Sequence, residues 1–146
     1  MRSLVDTSVW LALAVSEHVF HSLGVAWFKG LGQDDEALFC RSTQQSFLRL
    51  LTTPAVMGAY GAAPLTNARA WDECQLWLTA RQVSFVAEPP HIVDKWRTLS
   101  DRSSSSPKLW MDAYLAAFAI AGELQLVTFD AGFRQFEGLD LLLLGV

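Results

Sequence analysis

Short apolar runs, too brief to be helices, alternate along this chain with segments of helical periodicity, and that alternation constrains the fold more than any other feature. Residues 2–5, Ala37-Leu38-Phe39-Cys40, Val83-Ser84-Phe85-Val86 and 124–128 read as buried strands, with 139–144 as a fifth. Helix-length segments separating short, buried strands are the pattern of a parallel sheet covered on both faces by its own crossovers. The expected class is therefore α/β, with a central parallel sheet of four to five strands flanked by helices. A chain of 146 residues has the size of a single domain, residues 1–146, and buries about two-thirds of its unfolded surface without staples.

The helix boundaries follow from caps and breakers. Asp6-Thr7-Ser8 offers caps before the apolar run Val9 to Ala14, and a second helix is expected from the Ser16–Ser22 region to Gly30-Leu31-Gly32, with His18 and His21 on one face. Ser42 or Thr43 is placed to cap a helix over 44–51 that stops before Pro54. The Gly-, Ala- and Pro-rich stretch 55–64 reads as irregular, and Thr66 as the start of the next helix. Pro89-Pro90 precedes a helix over 92–99, and the serine-rich loop Ser103 to Pro107 leads into an Ala-rich helix over 110–121, ended by Gly122.

Three acids stand out against this background. Asp6 directly follows the first strand, Asp130 follows the fourth, and Asp112 lies three residues into a largely apolar helix. An isolated buried charge is very costly, so such carboxylates must be solvated, paired or bound to a cation. In open parallel sheets, ligand sites lie at the carboxyl ends of the strands, where the topology brings Asp6 and Asp130 to one rim. Helix capping accounts for Asp6 or Asp130 taken singly. It accounts less well for Asp112. A set of carboxylates without Cys or His suits Mg²⁺ or Mn²⁺ rather than zinc, and metal-assisted phosphodiester hydrolysis is the reaction such a site serves.

Other features limit this reading. The formal charge of −4 argues against binding nucleic acid through a global positive field but leaves room for a local basic groove. Cys40 and Cys74 lack the CxxC spacing of a zinc or redox site and read as reduced core thiols. His18 and His21 at i, i+3 make a weak metal signal. The six tryptophans sit mostly in apolar helical patterns, so core packing or a protein interface is expected for most of them, with base stacking the alternative. Neither a signal peptide nor a run of ~18 apolar residues is present, which predicts a cytoplasmic protein with no membrane contact.

The residues also carry a family likeness. Leu-Val-Asp-Thr-Ser-Val-Trp at 4–10, Asp-Ala-Tyr-Leu-Ala-Ala-Phe-Ala at 112–119 and Leu-Val-Thr-Phe-Asp-Ala-Gly-Phe at 126–133 resemble, in that order, the motifs of PIN-domain ribonucleases, and more narrowly the VapC toxins of bacterial toxin–antitoxin pairs. The resemblance spans nearly the whole chain. It implies a PIN-like three-layer sandwich and a Mg²⁺- or Mn²⁺-dependent endoribonuclease acting on structured RNA such as tRNA, dimeric and inhibited by a cognate antitoxin. By position, Asp6, Asp112 and Asp130 match the family's metal-binding acids. Thr128 matches the hydroxyl residue before the last of them, and Thr7 or Ser8 supports Asp6. The departure lies in the helix after the second strand, where many members carry a glutamate and this chain has Gln45 or Ser46.

Arg41 and Arg49, on that same helix, are candidates for RNA phosphate contact, although a solvated or ion-paired role is common for arginines on helices. Two alternatives accompany the nuclease expectation. A different Mg²⁺-dependent phosphotransfer enzyme would want a Gly-rich phosphate loop, which the chain lacks. A catalytically impaired PIN-fold module that binds RNA or protein is suggested by the missing glutamate.

Overall fold

The computed structural model describes residues 1–145. The elements run β1 (Arg2–Val5), α1 (Thr7–Ala14), α2 (His21–Lys29), β2 (Glu36–Phe39), α3 (Arg41–Leu51), α4 (Pro54–Ala59), α5 (Asn67–Leu78), β3 (Val83–Phe85), α6 (Ile92–Ser100), α7 (Leu109–Ala121), β4 (Gln125–Thr128), a 3₁₀ turn (Ala131–Gln135) and β5 (Leu141–Leu143). The five strands form one parallel sheet in the order β3-β2-β1-β4-β5. The α/β expectation and all five strands are borne out, with ends within two residues of those read from the sequence.

Alternation along the strands divides the core into two layers, because successive side chains leave a strand on opposite faces. Val5, Ala37, Phe39, Val83 and Val127 join residues of α1, α3 and α5 on one face, where the buried Trp10 indole stacks on Phe39 with ring centroids 3.8 Å apart. Leu4, Leu38 and Leu126 join α6 and α7 on the other, where the small face Ala113, Ala116, Ala117 and Ala119 lets α7 lie close to the sheet. The result is a three-layer sandwich with β1 at its centre.

Several local expectations are corrected. Helix α3 begins at Arg41, three residues earlier than expected, and Cys40 occupies the cap position. Thr43 sits inside the first turn and closes it by accepting from the Cys40 N–H at 3.0 Å. Pro54 does not merely end α3; it opens α4, because its fixed φ and missing N–H suit a first helical position. Helix α2 starts only at His21, so His18 and His21 do not share a helix face. Instead His18 stacks on Tyr60 at 4.4 Å, and Nδ1 of His21 lies 2.7 Å from the Ala12 carbonyl oxygen. Thr66 caps α5 as expected, its hydroxyl accepting from the Arg69 N–H at 3.2 Å. Cys40 and Cys74 are free and buried, as expected. Among the tryptophans only Trp10 is wholly enclosed; Trp71 and Trp110 are 49% and 55% exposed.

The strand order places the topological switch at β1, whose neighbours β2 and β4 carry the chain away in opposite directions. No helix is long and apolar enough to cross a membrane among the described residues.

Candidate active site

The carboxyl ends of β1 and β4 adjoin, since Val5 pairs with Val127 and the Asp6 N–H donates to the Val127 carbonyl at 2.9 Å. Asp6 is thereby fixed at the mouth of the switch point. Its backbone carbonyl accepts from the Val9 N–H, starting α1, while its side chain makes no capping hydrogen bond to that helix. Capping therefore does not explain Asp6.

Thr128, fully buried at the end of β4, ties the site together. Its hydroxyl donates to Asp6 Oδ2 at 2.7 Å and accepts from the Asp130 N–H at 3.0 Å. One oxygen thus links the first acid to the backbone of the third. Ser8 adds a longer hydrogen bond to Asp6 Oδ2, 3.3 Å, and the Thr7 backbone N–H also supports this carboxylate. Of the two expected supporting residues, Ser8 acts through its side chain and Thr7 through its main chain.

Asp130 is exposed, and its Oδ1 accepts from the Gly132 N–H at 2.8 Å as the chain turns into the 3₁₀ segment. A Cβ on residue 132 would stand 3.0 Å from that same oxygen, so glycine allows the close approach. Asp112 comes from the first turn of α7, where the helix macrodipole favours a negative charge. The Tyr114 hydroxyl, two residues on, donates to Glu88 Oε1 at 2.7 Å and fastens α7 to the segment after β3.

The three carboxylates feel one another. Burial raises the pKa of Asp6 above its ordinary value, against the lowering effect of its hydrogen bonds from Thr128, Thr7 and Ser8, and the charge of Asp130 raises it further. Asp112 is also raised, by burial first and then by the charges of Asp130 and Asp6. Among the described residues the ion pairs are Met1 with Asp35 and Arg2 with Glu36, at the opposite end of the sheet. Among the described residues none of the three acids at the rim makes an ion pair. As they stand, no three His, Cys, Asp or Glu side chains among the described residues close around a single ion position. The donor set is nonetheless all oxygen, mutually repelling and without an ion-pair partner among the described residues, which fits a hard divalent cation.

The remaining candidates make no hydrogen bond to this cluster among the described residues. Ser46 is half-buried in α3 and Gln45 is exposed; no hydrogen bond among the described residues joins either to the aspartates. The Arg41 guanidinium lies over the Phe85 ring, 4.5 Å from its centroid, and also donates to Gln44. Arg49 borders a concavity of about 270 Å³ with Thr52, Asn67 and Trp71. Lys108, beside the serine-rich loop, is a further candidate for phosphate contact from the sequence, though a plain connector role suits it equally; it borders a cavity of about 430 Å³ over Asp112, together with Arg102, Ser106 and Gln135.

Comparison with known proteins bears on the family and the fold. A family model described as the PIN domain matches residues 3–139. The chain is similar to Ribonuclease VapC41 of Mycobacterium tuberculosis, 48% identical over 142 residues that make up 97% of each chain. It is also similar to Ribonuclease VapC44 of the same organism, 35% identical over 131 residues, 89% of this chain and 87% of that one. Among solved structures, VapBC2 from Rickettsia felis bound to a DNA fragment from its promoter shares the fold with a TM-score of 0.71 at 11% identity, covering 99% of both chains. VapBC-1 from nontypeable Haemophilus influenzae gives 0.68 at 15% identity, covering 98% of both.

Proposed function

The chain belongs to the PIN-domain family, in its VapC branch, and on that premise we propose that it is a single-domain endoribonuclease using Mg²⁺ or Mn²⁺ held by Asp6, Asp112 and Asp130. The observation that carries the reading is the convergence of these like charges at the switch point of the sheet, where none of them makes an ion pair among the described residues. A bound divalent cation supplies an activated water and neutralises charge developing on the phosphate oxygens. The chain's own residues fix the donors. Thr128 and Ser8 both donate to Oδ2 of Asp6 and set its orientation, and the Gly132 N–H turns the Asp130 carboxylate by its Oδ1. Asp112 approaches from the other face of the sheet on α7, an element anchored by Tyr114 and by its alanine face.

The proposal extends to a toxin of a toxin–antitoxin pair, with a cognate antitoxin as partner, a homodimer as assembly, a structured RNA such as tRNA as substrate and the cytoplasm as its place of action. The names of the similar proteins support the antitoxin. The exposed apolar side chains Val19, Phe20 and Leu23 at the start of α2 supply apolar surface that a protein partner can cover. Incubation of antitoxin-free protein with total RNA and, separately, with a phosphomonoester tests the activity. Metal-dependent cleavage of RNA alone, lost in Asp6→Asn, is the expected result; cleavage unchanged by that substitution would sink the mechanism.

A second reading, a catalytically impaired module that binds RNA or protein, is favoured by one observation: the aspartates are not closed around a common point, and α3 supplies no acid to complete them. Growth inhibition that survives Asp112→Asn would select it.

A further inference from the structure

The cavity over Asp112 does not end at its own walls. Arg102 and Ser106 also border a neighbouring concavity of about 380 Å³, whose other walls include Trp96, Arg97 and Trp110. A ligand seated over Asp112 can therefore continue across Arg102 and Ser106 into the second hollow. Trp110 and Asp112 are two residues apart on α7 and leave the helix about 200° apart, so the path from one to the other runs over Arg102 and Ser106, which border both hollows.

The chemistry of the second hollow is specific. Trp110 is 55% exposed, in a chain that encloses Trp10 completely. Its backbone is held in place: the Trp96 indole N–H donates to the Trp110 carbonyl at 2.9 Å, and Trp96 packs edge-on against both Trp110 and Tyr114. Trp96 thus braces a platform of which Trp110 is the open face. Arg97 and Arg102 flank it without an ion-pair partner among the described residues, and Arg102 makes one long hydrogen bond, 3.4 Å, to Gln135. Lys108 adds a third cation from the cavity over Asp112, while Asp101 is the one acid in the wall of the second hollow. In a chain of formal charge −4, three cations against two acids, Asp101 and Asp112, line the two hollows, and Arg97 and Arg102 beside the exposed indole form a local basic, aromatic groove.

We propose that this groove is the subsite for an unpaired nucleotide of the RNA next to the bond that is cut, its base stacked on Trp110 and its phosphate held by Arg97 and Arg102. The inference rests on the ribonuclease reading, which puts the scissile phosphate at the aspartates. The substrate must be single-stranded at this point, because a base inside a duplex cannot offer its face to an indole. Stacking is tolerant of base identity. The subsite accordingly sets affinity and position more than sequence, and Ser100, Ser104 and Ser106 in its wall supply hydroxyls for the ribose or base edge.

The test measures fluorescence anisotropy of a labelled single-stranded oligoribonucleotide binding to the Asp6→Asn protein, alone and with Trp110→Ala, Trp110→Phe or Trp71→Ala added. Loss of one base–aromatic stack weakens binding on the order of 10- to 100-fold, so Trp110→Ala should show that loss. Trp110→Phe should recover most of it, and Trp71→Ala, equally exposed but on α5, should leave binding unchanged. Arg97→Gln with Arg102→Gln should flatten the salt dependence of binding by about two phosphate contacts. In otherwise wild-type protein, Trp110→Ala should raise KM for RNA and spare kcat. Wild-type binding and cleavage by Trp110→Ala overturns the subsite and leaves the nuclease reading intact. Intact RNA binding with lost affinity for a protein partner also overturns it and assigns the groove to that partner. RNA that neither binds nor is cut by the wild-type protein overturns both.

Discussion

Replacing Thr128 by valine keeps the β-branched shape of a fully buried strand residue and removes the one hydroxyl that joins Asp6 to the Asp130 backbone. A hydrogen bond to a charged acceptor contributes about 1.5–3 kcal/mol, and an orphaned N–H costs about 1–3 kcal/mol when water cannot reach it. Asp130 is exposed, so water replaces the second interaction, and the partial opening at Asp6 sets the first toward the lower end. The net loss is about 1.5–2.5 kcal/mol, or a fall in Tm of ~4–8 °C for a domain of this size.

The sign of the pH dependence follows from Asp6. Burial raises its pKa in the folded state, and the Thr128 hydrogen bond is the largest influence opposing that rise. Without the hydroxyl the folded pKa climbs further, so the added cost is fully present where Asp6 is ionised and shrinks as acid protonates it. Thermal unfolding followed by circular dichroism in a chelating buffer, at neutral and at acidic pH, reads both effects. Thr128→Ser, which keeps the hydroxyl and loses a buried methyl worth ~0.8 kcal/mol, should retain most of the pH dependence of the wild type. An unchanged Tm for Thr128→Val at neutral pH, or a serine variant that behaves like the valine one, would refute the bridge.

Asp112→Asn relieves the repulsion from Asp130 and Asp6, so the chelated protein should melt at a higher temperature while RNA cleavage is lost; a lower Tm in chelator would contradict the charge balance described here. Gly132→Ala puts a Cβ against Asp130 Oδ1 and should reduce cleavage on the order of tenfold with little change in Tm, which kcat and melting curves together check. Burial first, and then the charge of His21, lowers the pKa of His18, so the unfolded chain takes up that proton more readily. Stability should therefore fall as pH drops below the ordinary histidine value of 6.5, and His18→Gln should flatten the profile. Arg41→Ala should cost about 0.5–1 kcal/mol, the worth of an exposed cation–π contact, and leave oligoribonucleotide affinity unchanged, since its guanidinium is engaged by Phe85 and Gln44.

The sequence carried the architecture because strand and helix periodicities differ, and because Asp6 and Asp130 each follow a buried run whose direction the parallel sheet fixes. Other features depend on contacts that no local pattern encodes. Thr128 and Asp6 are 122 residues apart, and periodicity marks Thr128 only as a strand end. Cys40 is a poor cap by residue preference, yet the apolar run of β2 carries it to the start of α3, and Thr43 closes the turn from within. Pro54 reads as a helix breaker until its role as an opener is considered. Apolar helical patterns assign most of the tryptophans to the core or a protein interface without telling one from another; the packing of α7 against α6 leaves Trp110 exposed. The weakness of the HxxH signal was legible, whereas the turn separating His18 from His21 was not.

The function proposed for this chain requires three aspartates to act as one cation site. Titration calorimetry of Mn²⁺ into antitoxin-free protein, with the three Asp→Asn variants in parallel, measures that directly. The expected result is saturable binding by the wild type, weakened severely and to a similar degree in Asp6→Asn, Asp112→Asn and Asp130→Asn. Binding that any one of the three variants leaves at full strength would remove that residue from the site and contradict the shared-ion account.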